Sequence, residues 1–81
     1  MQIFVKSVGG KIVTIDVTDD TITIKMLKSL VEAKEGTLSD EQRIYFGGKV
    51  LADDDATLGD YFIKDGSNLQ LVVRLLGGAN N

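Results

Sequence analysis

The chain closes on Arg74-Leu75-Leu76-Gly77-Gly78-Ala79-Asn80-Asn81, and the chemistry this order offers belongs to a main-chain carboxylate, not to a side chain. Two consecutive residues without a β-carbon can lie extended or bent, and can pass through a slot too narrow for any side chain. A terminus of that kind suits handling by enzymes. The Gly78 carboxylate becomes available for activation only once Ala79, Asn80 and Asn81 are removed, so the ending reads as the precursor of a protein that is joined to others. Gly-Gly also occurs at Gly9-Gly10 and Gly47-Gly48, each between apolar runs where a hairpin turn is expected. The dipeptide alone therefore decides little, and its context must.

Composition removes most other chemistries. The 81 residues include no Cys, no His and no Pro, which excludes disulfides, thiolate chemistry, the usual zinc ligands and Cys–His or Ser–His pairs. No enzymatic role and no cofactor is expected. Asp53-Asp54-Asp55 is the one acidic run; hard cations take several carboxylates, but three adjacent acids without a loop motif read as a solvated turn, and no metal site is expected. Net charge is −3 with no basic cluster, so neither nucleic acid nor an anionic membrane is an expected partner. No apolar stretch approaches about 18 residues, and the first residues alternate instead of forming a signal-peptide block. A soluble, cytoplasmic, monomeric domain with no leader is expected, with proteins as its partners.

The elements that must position the tail follow from periodicity. Met1, Ile3 and Val5 alternate with Gln2, Phe4 and Lys6, which predicts a strand. Ser7-Val8-Gly9-Gly10 supplies a turn, and Lys11 to Val17 alternates again, with Val13, Ile15 and Val17 inward. Thr18-Asp19-Asp20-Thr21 offers side chains that accept hydrogen bonds at a helix start. Ile24, Leu27 and Val31 then recur at helical spacing, and Gly36 can end that helix in a left-handed conformation. Ile44 to Phe46 and Val50-Leu51 flank the turn at Gly47-Gly48, and Leu69 to Leu75 forms a last strand. One helix across one face of a mixed sheet is the economical α+β solution for so short a chain. The expected organisation is a domain over 1–73, a flexible lead over 74–78 and an extension over 79–81.

These residues also carry a resemblance. Met1-Gln2-Ile3-Phe4-Val5-Lys6, Lys34-Glu35-Gly36, Gln42-Arg43, Gly48-Lys49, Thr57-Leu58, Asp60-Tyr61, Leu71-Val72 and Arg74-Leu75 with Gly77-Gly78 resemble the ubiquitin family in order and at nearly its spacing. The likeness spans 1–78, with one extra residue near Asp19-Asp20 and one near Asp53 to Ala56, where loops tolerate insertion. It implies the β-grasp fold. It also implies a core of Ile3, Val5, Val13, Ile15, Val17, Ile24, Leu27, Val31, Ile44, Leu51, Leu58, Ile63, Leu69 and Leu71, all apolar here.

The function it implies is that of a protein modifier. An activating enzyme would adenylate the Gly78 carboxylate and pass it on as a thioester, ending in an isopeptide bond to a lysine. The expected partners are activating, conjugating and ligase enzymes, processing and deconjugating proteases, and domains of the ubiquitin-binding type. The expected compartment is the cytoplasm, and also the nucleus in a eukaryote. Arg74, Leu75 and Leu76 would be read by the activating enzyme, although Leu76 replaces an arginine of the family. The family's apolar recognition patch falls on Val8, Tyr45, Gln70 and Val72; Tyr45 either anchors a partner or only fills a strand position of high β-propensity. Candidate acceptors for self-conjugation are Lys49, Lys11, Lys6, Lys28, Lys34, Lys64 and the Met1 amine, each of which can equally be a solvated surface group. Leu30 either extends an interface or widens the core. Tyr61 with Asp60 resembles a pair whose tyrosine hydroxyl satisfies loop backbone, and Thr37-Leu38-Ser39 replaces a proline-rich turn, so a looser loop is expected there. Two alternatives share parts of this pattern: an interaction domain that is never conjugated, and a sulfur carrier whose terminus becomes a thiocarboxylate.

Overall fold

The computed structural model describes residues 1–7 and 9–74. Strands β1 (Gln2–Lys6) and β2 (Ile12–Asp16) are antiparallel, with Ile3 opposite Ile15 and Val5 opposite Val13. Helix α1 (Ile24–Glu35) follows, then β3 (Gln42–Phe46), β4 (Lys49–Val50) and β5 (Asn68–Val73). The five strands form one mixed sheet in the order β2-β1-β5-β3-β4, with β1 and β5 parallel at its centre. The β-grasp architecture implied by the sequence is the one present.

Alternation explains the sheet. Val and Ile suit a half-buried pleated surface, and in β1, β2 and β5 every second residue is buried. Two positive-φ glycines, Gly47 at 60° and Gly48 at 80°, close the two-residue loop between Phe46 and Lys49, the backbone a hairpin of this length needs. The helix turns Ile24, Leu27 and Val31 onto the sheet, where they are fully buried. Gly36 ends it at φ 93°, its N–H donating to the Glu32 carbonyl. All fourteen apolar positions expected in the core are buried, and Met1, Ile22, Leu30, Phe46 and Tyr61 ring that core. Leu30 thus widens the core.

The helix start differs from expectation. None of Thr18, Asp19, Asp20 or Thr21 caps it; Thr23 does, its hydroxyl accepting from the Met26 N–H at 3.2 Å. The earlier residues close a turn of their own, in which Asp19 accepts from the Thr21 hydroxyl at 2.5 Å and the Thr21 N–H at 2.9 Å. A short acceptor side chain serves the nearest free N–H, and Asp19 meets Thr21 first. The strands also differ at their ends: β2 stops at Asp16, β3 reaches back to Gln42, and β5 runs from Asn68 to Val73.

Those same hydrogen bonds, the Thr21 hydroxyl first and its N–H second, hold the Asp19 carboxyl below the usual carboxylate range. A lowered folded-state pKa gives stability that is present above the ordinary Asp range and lost as pH falls through the lowered value. Asp19→Asn is therefore expected to flatten the acid side of the stability profile slightly. Denaturant midpoints at neutral pH and below the carboxylate range measure this; an unchanged acid loss would contradict it.

The loop that lacks proline is tied by side chains. Glu35 accepts from the Thr37 N–H and hydroxyl, and Glu32 accepts from the Ser39 N–H at 3.1 Å and hydroxyl at 2.7 Å. Carboxylates from the last turns of α1 thus bridge this loop to the helix.

Candidate functional site

The outer face of the sheet, away from α1, is where the candidate patch lies. Antiparallel register sets Tyr45 directly opposite Gln70, and Arg43 opposite Val72. On the other side of β5, Gln70 lies beside Lys6 of β1. One row thus crosses four strands: Lys6, Gln70, Tyr45 and Val50. Tyr45 is half-buried, while Gln70 and Val72 are exposed. Of the four expected patch residues, the structure brings Tyr45, Gln70 and Val72 together; Val8 lies outside the described residues.

This face is concave. A hollow of about 350 Å³ is lined by Phe4, Lys6, Ile12, Tyr45 and Gln70, with Gly47 and Gly48 of the β3–β4 turn also at its wall. Phe4 and Ile12 were not expected in the site. Both stand at outward positions of alternating strands, and an apolar residue on the water side of such a pattern is the signal that marks them. Ile12 is 60% exposed.

At the far end of β5, the Arg74 N–H donates to the Glu41 carbonyl at 2.6 Å. The Arg74 side chain is exposed and borders a depression shared with Arg43, Gln42 and Asp40. Arg43 adds a second cation that the sequence reading left out of the recognition group. Leu75, Leu76, Gly77 and Gly78 lie outside the described residues.

The candidate acceptor amines stand in unequal surroundings. Lys6, Lys11, Lys34, Lys49 and Lys64 are exposed. The Lys34 ammonium donates to the Thr14 carbonyl at 3.1 Å, and that of Lys49 lies 6.0 Å from the centre of the Tyr61 ring. Lys28 is different. Its side chain is only 15% exposed and its ammonium is paired with Asp54 at 3.0 Å. The Met1 amine donates to the Val17 carbonyl at 2.6 Å. A nucleophilic amine must be free and deprotonated, so Lys28 is the least suited of the set.

The neighbouring loop is held by its own side chains. The Tyr61 hydroxyl accepts from the Asp53 N–H at 3.2 Å, as the resemblance implies. Thr57 and Asp60 exchange hydrogen bonds, the Thr57 N–H donating to the Asp60 carboxylate at 2.9 Å and the Asp60 N–H to the Thr57 hydroxyl at 3.1 Å. Asp53 accepts from the Asp55 N–H and Asp54 holds Lys28. Among the described residues, no three acidic side chains converge on a cation position, and no helix is long and apolar enough to cross a membrane.

A model of the ubiquitin family matches residues 3–76, nearly the whole chain. The chain belongs to the ubiquitin family. It is similar to the ubiquitin-like protein NEDD8 of Dictyostelium discoideum, at 45% identity over 96% of this chain and 99% of that one. The NEDD8-like protein RUB3 of Arabidopsis thaliana is 42% identical over 96% of this chain and 97% of its own. Ubiquitin-like protein 1 of Schizosaccharomyces pombe is 38% identical, covering 98% and 99%. This ubiquitin-like chain is a ubiquitin-like modifier, a protein handled by enzymes and not itself an enzyme.

Proposed function

We propose that this ubiquitin-like chain is cut after Gly78, activated there as a thioester and joined to lysines of target proteins. Its near end-to-end likeness to proteins named NEDD8 supports the reading above all. In the proposed sequence, the Gly78 carboxylate attacks the α-phosphate of ATP and displaces pyrophosphate; an enzyme thiolate then displaces AMP. Transfer to a second thiol follows. A lysine amine finally attacks the thioester carbonyl, expels the thiolate and leaves an isopeptide bond. The chain supplies no catalytic group, only an accessible carboxylate and side chains by which it is recognised.

Within this reading, residues 1–73 are the recognition domain, 74–78 the lead and 79–81 the removed extension. Arg74, Leu75 and Leu76 present the lead to the activating enzyme, while Tyr45, Gln70 and Val72 with Val8 meet downstream enzymes, proteases and ubiquitin-binding-type domains. Exposed Lys6, Lys11, Lys34, Lys49 and Lys64 can serve as acceptors in chains of the modifier. Its place of work is the cytoplasm, and the nucleus in a eukaryotic cell.

The test incubates the full chain with the processing protease and activating enzyme of its source organism, with ATP, and weighs the products. Loss of Ala79-Asn80-Asn81 and a thiol-sensitive adduct at Gly78 are expected. Failure of either step overturns the reading. Arg74→Ala should lower kcat/KM for activation by roughly tenfold or more, the scale of one lost hydrogen bond to a charged group.

A further inference from the structure

Thr37-Leu38-Ser39 contains no proline, so no ring presets the backbone that leads from α1 into β3. Side chains hold it instead. Glu35 accepts from the N–H and hydroxyl of Thr37, whose carbonyl accepts from the Gln42 amide at 2.9 Å. Glu32 lies one turn further back on α1. It reaches across seven residues to Ser39 and accepts from the N–H at 3.1 Å and the hydroxyl at 2.7 Å. A carboxylate that takes two donors of one residue fixes where that residue sits and how it is turned. Among the described residues, Glu32 is the one side chain that hydrogen-bonds within the 3-10 turn Ser39–Glu41.

The root of the tail hangs on this turn. Its closing bonds run from the Glu41 N–H to the Leu38 carbonyl and from the Gln42 N–H to the Ser39 carbonyl. The Glu41 carbonyl then accepts from the Arg74 N–H. That rung lies outside both strands, since β3 begins at Gln42 and β5 ends at Val73. Hydrogen-bonded rungs of an antiparallel pair fall on every second residue, so the next one inward joins Arg43 with Val72. Opening the Arg74 rung therefore frees Val73 and Arg74 together, and it releases the Arg74 side chain from the depression that it borders with Arg43 and Asp40. The strands alone do not hold Arg74; a turn tied to the helix does.

We propose that Glu32 is a positioning residue for the tail: through Ser39 and the Glu41 carbonyl it keeps the last rung closed, and so presents Arg74 beside Arg43 as a pair of cations. Its carboxylate bonds to Ser39, so its action on Arg74 runs through the turn and not through contact. Loss of the bridge leaves the strands paired up to Arg43 and Val72 and lengthens the free lead by two residues. An activating enzyme then meets an arginine that it must first order, which weakens binding and leaves the chemistry at Gly78 untouched. This effect on activation rests on the conjugation reading above; the effect on the rung does not.

Amide hydrogen exchange of the ¹⁵N-labelled full chain tests the rung directly. In Glu32→Ala the Arg74 amide should exchange roughly tenfold faster than in the parent, measured against the Tyr45 and Gln70 amides of the same strand pair, the scale of one hydrogen bond to a charged group. Glu32→Gln keeps an acceptor oxygen for Ser39 and should restore most of the protection. Activation is then followed with the activating enzyme of the source organism and ATP, on chains trimmed to Gly78. Glu32→Ala should raise KM by roughly threefold to tenfold with kcat unchanged. In an Arg74→Ala background it should change nothing further, because no guanidinium is left to position. An unchanged exchange ratio in Glu32→Ala, no recovery in Glu32→Gln, an opened rung without a rise in KM, or additive losses in the double variant would each overturn the proposal. A parent chain that is never activated overturns the conjugation reading instead, and the exchange ratio alone then decides the role of Glu32.

Discussion

Replacing Gln42 by glutamate will cost the domain about 3–4 kcal/mol at neutral pH and far less near pH ~4. Gln42 is buried at the start of β3, and its amide nitrogen donates to the Lys28 carbonyl of α1 and to the Thr37 carbonyl of the following loop, both at 2.9 Å. Its amide oxygen has no partner. A carboxylate in this place turns an acceptor toward two acceptors and buries a charge, so burial raises its pKa in the folded state by about three units. A raised folded-state pKa means that stability is intact below the unfolded value of about 4.3 and drains away as pH climbs through the raised one. Below that range the protonated acid still donates one of the two lost bonds. Denaturant unfolding of parent and variant at both pH values measures the effect. If the gap between them stays constant with pH, the amide is not buried as described.

Leu27→Ala should remove about 3–4 kcal/mol and lower the thermal midpoint by roughly 12–32 °C. Leu27 is fully buried in the middle of the inward face of α1, between Ile24 and Val31. Alanine keeps helix propensity, so the loss isolates the transfer and cavity terms. On a chain of this size the whole net stability is about 4–12 kcal/mol, and one such cavity takes about a quarter of it or more. Its neighbour Met26 is 51% exposed, so Met26→Ala should stay within about 0.5 kcal/mol of the parent. Equal losses in the two variants would mean that the helix is rotated from the orientation described.

Period-two alternation announced β1, β2 and β5, helical spacing announced α1, and Gly36 and Gly47-Gly48 announced where chain direction changes, because each of these is a local signal. The order of strands is not local. Placing β5 between β1 and β3 depends on contacts between opposite ends of the chain, which only the family likeness conveyed. The helix cap was misplaced because four acceptor residues precede Thr23 and proximity to a free N–H, not residue type, chooses among them. The carboxylate bridges from Glu32 and Glu35 leave no mark in the sequence because they span two to seven residues through side chains whose direction no pattern fixes. Phe62 was silent for another reason: it takes a left-handed backbone at φ 61°, and phenylalanine is among the last residues that would suggest one. The candidate site divides similarly. Tyr45, Gln70 and Val72 followed from alignment and register, whereas Phe4, Ile12 and Arg43 required the sheet itself.

The parallel pairing of β1 with β5 has a consequence for how the domain comes into being. Strand β1 completes its hydrogen bonds only with β5, so the sheet closes late in synthesis and over a long loop. Loop closure of this length must precede the contacts that reward it, which places the domain among slower-folding mixed topologies. During synthesis β1, β2 and α1 wait without their central neighbour until Val73 has emerged. The five residues that follow, Arg74 to Gly78, are thus appended directly to the strand whose docking finishes the fold. Under the proposed processing after Gly78, a terminus presented from that strand would double as a report that the domain behind it is complete.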